Sequence, residues 1–277
     1  MLKRYKPFFR AGAMEVLAYK FNIFGWLIVS ALQVLCVFFL WIGVYNNATD
    51  GVDSVINGFT LNEMLVYMAF INVFNFVTFA GNTMYNVTQD IKQGTIAMSF
   101  VKPISYRVRF MFTTLGSLFM QMVMLGLPAF ILLYAVFGAL GYIHITSVWM
   151  LLLHIAMFLI SQVLAALLRD CLDYICGVLC FYTTAAWGMD QIKTTIVTFL
   201  SGTLLPLSFF PKGFSQVLNY SPFAGISQNP VLILTMKMDV LSAVKCIALS
   251  LGWLCVMELV AWLIFRQASK KVTVQGG

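Results

Sequence analysis

The chain has 277 residues, 61% of them hydrophobic and only 10% charged, and its mean hydropathy is +0.90. A soluble domain carries about 25% charged residues, and no soluble fold could bury this much apolar surface, so most of the chain is solvated by lipid. The formal charge of +7 then reports membrane topology, and nucleic acid is excluded as a partner.

Residues 1–20 interleave Lys and Arg with Tyr5, Phe8, Phe9, Ala13, Val16 and Leu17. That pattern predicts an amphipathic helix lying at the inner membrane interface. Apolar runs follow. About 20 helical residues cross the hydrocarbon core, and spans are expected at 23–44, 63–85, 107–137, 148–168, about 174–206 and 242–265. No small-residue cleavage site follows the first run, so it reads as an uncleaved span. Trp26 and Trp41 bracket span one, and Tyr67 and Tyr85 bracket span two, as interfacial aromatics do.

Cytoplasmic connections are rich in Lys and Arg. Lys3, Arg4, Lys6, Arg10 and Lys20 precede span one; Lys92, Lys102, Arg107 and Arg109 fall between spans two and three; Arg266, Lys270 and Lys271 follow the last. The connection 45–60 has no Lys or Arg, and 138–147 has no charge. Both termini and the 86–109 loop are therefore expected in the cytoplasm of a plasma membrane. Termini on one side require an even number of spans. Breaks at both Arg169–Asp173 and Asp190–Lys193 would give seven, so six is the better count, with the inner break between spans four and five somewhere in 169–193. The expected fold is an all-α polytopic membrane protein forming one transmembrane domain over 1–277.

Two stretches interrupt the spans. Residues 88–105 include IKQGTIAMSFVKPIS, too polar to cross a bilayer and unlike a Gly/Ser linker. Residues 207–238 stay apolar but carry Pro211, Pro222 and Pro230, with Pro206 just before them, which forbids one continuous helix. Irregular backbone at membrane depth must be buried in protein or face a watery cavity. A short pair of helices that enters the outer side and returns is expected there.

Catalytic signatures are missing. The chain has no GxxxxGK[ST], HExxH or GxSxG, and only two His, His144 and His154. The six Cys lie in or beside apolar segments without CxxC spacing, and read as small buried hydrophobes. No metal site and no enzymatic activity are expected. Ionisable residues inside spans are functional candidates by default. Here they are Asp190 and Lys193, spaced to pair on one helical face, and Glu258. Gln33, Asn72, Asn75 and Gln121 could face a path or glue helices together.

The segment Asp90-Ile91-Lys92-Gln93-Gly94-Thr95-Ile96, followed by Lys102-Pro103-Ile104-Ser105, resembles the coupling-helix region of ABC type-2 permeases, whose pattern is I-(K/R)-x-G-T-(I/L) and then (R/K)-P-(I/V)-(S/T). Ser201-Gly202 through Pro206, with Pro211 and Ser221-Pro222, is similar to the family's segment where span five hands over to extracellular re-entrant helices. Tyr19-Lys20, Leu61 to Tyr67, Phe181-Tyr182 and Trp187-Gly188 fit a subfamily that pairs one ATPase with two permeases, although Thr183 and Thr184 stand where that subfamily has an acid. The resemblance implies a transport subunit that binds no cofactor itself. Its partners would be a cytoplasmic ABC ATPase dimer, which holds ATP and magnesium, a second permease of the same or a different chain, and membrane lipid. In that reading the amphipathic 90–106 stretch docks in a groove of the ATPase, with Ile91, Thr95, Ile96 and Met98 in contact, Gly94 allowing close approach, Pro103 ending the helix and Ser105 capping span three. A spread of Phe, Met and Leu suits a hydrophobic or amphipathic substrate. An ion-coupled or stand-alone transporter is the rival reading, as is an immunity protein without ATPase coupling.

Overall fold

A computed structural model describes residues 2–18, 20–48, 54–78, 81–97, 104–143, 147–183 and 185–271. Among them, twelve helices longer than a single turn carry the fold. They are α1 (Lys6–Ala18), α2 (Lys20–Asn46), α3 (Leu61–Thr78), α4 (Thr83–Lys92), α5 (Tyr106–Gln121), α6 (Leu127–Ala139), α7 (Val148–Leu179), α8 (Ala186–Leu200), α9 (Lys212–Tyr220), α10 (Pro222–Ile226), α11 (Gln228–Leu234) and α12 (Val240–Ala268). The described residues form no strand; one isolated antiparallel bridge joins Ile56 and Phe59. Five stretches are long and apolar enough to cross a membrane: Ile28–Asn46, Leu61–Lys92, Tyr106–Ala139, Val148–Leu179 and Val240–Ala268.

The bundle has two poles. At the near pole the start of α5 meets the ends of α7 and α12: Tyr106 stacks on Phe265, with ring centroids 5.5 Å apart, and tilts against Tyr174. At the far pole the start of α3 meets the 3-10 turn Leu207–Phe209, where Phe59 and Trp41 contact Phe209, and the loop after α11, where Glu63 pairs with Lys237 at 2.6 Å. There Thr60 and Glu63 form a reciprocal cap, the Thr60 amide donating to Glu63 Oε2 and the Glu63 amide to Thr60 Oγ1. Asp239 caps α12 by accepting from the Ser242 amide, and hydrogen bonding from the Ser242 hydroxyl and then its amide holds its carboxyl below the usual carboxylate range. Of the five membrane-length stretches, the one that begins with α3 is the most enclosed, burying both Phe70 and Phe74 in the larger hydrophobic cluster.

Several boundaries differ from those expected. The span expected over 148–168 runs on to Leu179 as one 32-residue helix. Arg169 and Asp173, at one end of the range expected to hold the inner break, sit inside it at i,i+4 and face each other at 3.5 Å. The chain turns at 180–182, within the expected 169–193, and the next helix, α8, has only 15 residues. The run expected over 63–85 divides at Thr78, with Gly81 and Asn82 outside any helix before α4. The stretch over 107–137 is interrupted by a π-helical turn at Met122–Gly126. Pro128 lies just beyond, and its missing N–H cannot complete the α-helical ladder.

Residues 1–20 do more than rest on an interface. Helix α1 lies along α5 at backbone contact. A Cβ at Gly116 would overlap the Phe9 carbonyl, and one at Gly12 would overlap that of Thr113. Ser117 Oγ donates to the Gly12 carbonyl at 3.2 Å, and Tyr5 stacks on Phe112. Two bracketing aromatics are also buried, Tyr67 and Trp41. Tyr67 Oη donates to the Gly202 carbonyl at 2.7 Å, so this residue holds a turn rather than marking an interface. The Trp26 side chain lies outside the described residues.

The 207–238 region is a 3-10 turn and three short helices, not a simple pair. Gly202 has φ +83°, and a Cβ there would crowd Gln228 and the Tyr67 hydroxyl. The Ser201 carbonyl accepts from the Gln228 amide at 3.0 Å. Gln228 Oε1 accepts from the Leu207 amide at 2.6 Å. Ser227 Oγ donates to Asn75 Oδ1 at 2.9 Å, so these elements reach residue 75, about midway along Leu61–Lys92. Pro206 and Pro211 flank the 3-10 turn, and Pro222 opens α10 behind a Ser221 cap.

Candidate functional site

The charges of the near-pole half form three linked groups. The first is built on Asp90, near the end of α4. It accepts from Arg109 Nη2 at 2.6 Å, Tyr106 Oη at 2.9 Å and Thr95 Oγ1 at 3.0 Å. Arg109 also lies 4.5 Å above the Phe110 ring, a cation–π contact that holds it in place. The polar loop is thereby fastened to the first turn of α5.

The second group is centred on Arg107. Its Nε and Nη2 grip Glu258 of α12, at 3.1 Å to Oε2 and 2.6 Å to Oε1, and its Nη1 pairs with Asp170 of α7. The other Asp170 oxygen accepts from Thr83 of α4 at 2.5 Å and Thr114 of α5 at 2.7 Å. Two carboxylates share one guanidinium, and the two hydroxyls compensate the excess negative charge. In the third group, Lys193 of α8 donates to Asp173 of α7 at 2.5 Å and Asp190 at 2.7 Å. Its Nζ also lies 3.6 Å from Met84 Sδ of α4.

The structure thus brings together Asp190 and Lys193, as their spacing predicts, and gives Glu258 a partner. Sequence reasoning missed Arg107 and Arg109, which it counted only as topology signals. It passed over Asp170, Asp173 and Arg169, which stood only at one end of the range expected to hold the inner break. The i,i+4 spacing of Arg169 and Asp173 was the available signal that the helix continues.

In the polar loop, Lys92, Gln93 and Gly94 face outward, with Gly94 at φ +71°. Ile96 points inward and is 2% exposed, in a cluster with Val87, Tyr106 and Phe110. Ile91 packs against the same cluster. The outward contact surface therefore differs from the one the spacing suggests. Ser105 stands at the start of α5 but makes no side-chain cap; its amide donates to Tyr5 Oη at 3.1 Å, which ties α1 to the same corner. Ile104 is half-buried beside it. Lys102, Pro103 and Met98 lie outside the described residues.

Beside this network a cleft of about 1150 Å³ opens among α1, α2, α3, α5 and α8. Gln33, Asn72, Asn75 and Gln121 all line it. With its amide nitrogen turned to α3, Gln121 donates to the Phe76 and Val77 carbonyls at 3.1 and 2.9 Å, satisfying backbone oxygens where α3 ends. No cluster of three or more metal-ligating side chains occurs among the described residues.

A helical bundle with five membrane-length apolar stretches, its charges paired inside, defines a multi-pass membrane protein. The sequence model described as ABC-2 family transporter protein matches residues 22–276, nearly the whole chain. The chain belongs to that family, whose members are membrane components of transporters and not themselves catalytic. A search of curated proteins returned no match.

Proposed function

We propose that this chain is the permease subunit of an ABC exporter, driven by a separate cytoplasmic ATPase dimer through the loop that follows α4. The observation that carries the reading is Asp90. A loop held only by lipid would need no internal anchor, whereas this one is pinned by two side chains of α5 and one of its own. Force applied to Lys92, Gln93 and Gly94 would pass through Asp90 to α5, and through Arg107 to α7 and α12. Family membership supports the same reading.

In this proposal six spans cross the membrane. The short α8 and the turn 201–206 together supply the fifth, the termini and the loop after α4 are cytoplasmic, and the elements of 207–238 enter from outside. Two permease chains, identical or different, enclose the path. ATP and magnesium are bound by the partner ATPase. The substrate is hydrophobic or amphipathic. Purification of the tagged chain in mild detergent, followed by mass spectrometry of the intact complex, tests this directly. An ABC ATPase in the complex supports the reading, and a second permease mass decides homo- against heterodimer. A chain that elutes alone, with its 90–106 loop open to protease in native membranes, favours the stand-alone transporter or immunity reading.

A further inference from the structure

We infer that the cleft among α1, α2, α3, α5 and α8 takes an amphipath whose polar group is uncharged and rich in hydroxyl or amide groups. Its role as a substrate site rests on the permease reading above. Six side chains carry the inference: Ser30 and Gln33 on α2, Asn72 and Asn75 on α3, Thr198 on α8 and Thr203 just beyond. All are neutral, and they come from the α2, α3 and α8 sides of the opening.

Their hydrogen bonds are only partly taken up within the protein. Ser30 Oγ donates to Asn72 Oδ1 at 2.5 Å, which leaves the Asn72 amide nitrogen for a ligand. Asn75 is committed on both atoms, to Thr203 at 3.1 Å and to Ser227, so it positions the wall. Gln33 is exposed near the middle of α2, where an amide facing hydrocarbon without a partner is costly. It faces the cleft instead. The rest of the lining includes Val29, Leu32, Val37, Met68 and Ile71, a wall suited to a hydrocarbon tail. Pockets for drug-sized ligands measure about 300–1,000 Å³, so this cleft has room for a polar group together with a chain.

Charge argues against the alternatives. Among the described residues Glu15 supplies the lining's single carboxylate, at the near-pole end, where it accepts from Asn82 Nδ2 at 3.2 Å. Among the described residues, neither Lys nor Arg lines the cleft. An anionic group would enter a low-dielectric space without a counter-ion, and a cationic one would find its partner only at the mouth. A neutral polyol or amide loses little on leaving water if the amides and hydroxyls of the wall replace its hydrogen bonds.

Cys36 also lines the cleft and is exposed, so it serves as a native reporter. The whole protein, with any subunits that co-purify, is placed in nanodiscs. Modification of Cys36 by a water-soluble maleimide is followed by peptide mass spectrometry. Three chain-matched probes are added below solubilising concentration: octyl glucoside, octyltrimethylammonium and octyl sulfate. The expected result is saturable protection by the glucoside alone, weakened about tenfold in Gln33→Leu and in Asn72→Leu by the loss of hydrogen bonds. Equal protection by all three probes would mean bulk chain filling and would overturn the inference. So would a preference for the cation, which would assign recognition to Glu15, or a Cys36 that the reagent never reaches. If either variant misfolds, the comparison of probes on the unaltered protein still decides. The readout needs no ATP, so glucoside protection without a co-purifying ATPase would sink the permease reading while leaving the ligand class intact.

Discussion

At the scale of single residues, the decisive feature is that buried charges are neutralised across helices as well as within one. Lys193 is 8% exposed, and its shortest contact is to Asp173 on α7, not to Asp190 on its own helix. Removing one member of a buried pair strands the other, at about 3–5 kcal/mol. Lys193→Ala should therefore lower the melting temperature in detergent strongly, and Lys193→Ala with Asp173→Asn should recover part of the loss. Additive effects would mean that Asp173 is satisfied elsewhere. The sequence made Asp190 and Lys193 legible because i,i+3 spacing is local. It hid the bonds from Asp173 to Lys193 and from Asp170 to Arg107, which join residues 20 and 63 positions apart. A second expectation concerns the loop after α4. Because Ile96 is buried and Gln93 is not, Ile96→Asp should reduce yield and stability, whereas Lys92→Glu with Gln93→Ala should leave stability within about 0.5 kcal/mol yet abolish co-purification of the ATPase. Retained ATPase in the surface variant would remove this loop from the docking surface.

At the scale of elements, two contacts decide how helices sit. One is the crossing of α1 and α5 through Gly12 and Gly116. Gly116→Val must push α1 away from α5, and overpacking of this kind costs about 1–3 kcal/mol. Gly138→Ala, on α6 with open space around it, is the matched control and should be neutral. The expected readout is a lower melting temperature and faster proteolysis of α1 in the Gly116 variant only; equal behaviour of the two would mean that α1 is not held by this crossing. The other contact is Gly202, whose positive φ and contact with Tyr67 fix the turn after α8. Amphipathic periodicity announced α1, but periodicity describes a face and not what covers it. The π turn ahead of Pro128 and the continuation of α7 past Arg169 were equally out of reach, since both depend on what neighbouring helices offer to a broken ladder or a buried charge.

At the scale of the whole molecule, topology follows from parity. If α8 with its following turn completes a fifth span, single cysteines introduced at Val55 and Gln93 should label from opposite faces of sealed vesicles, and Gln93 should share its face with Lys270. Labelling of Gln93 and Lys270 from different faces would require an odd number of spans. By itself the sequence determined the solvent, the helical class, the family and the basic loops, because hydropathy, charge bias and short motifs are properties of contiguous residues. Only the tertiary structure decided where the spans break, which charges pair and which side of the polar loop faces out. Those outcomes depend on groups distant in the chain meeting at distances of a few ångströms, where the cost of an unpaired charge or an unsatisfied carbonyl in a lipid-like interior selects one arrangement.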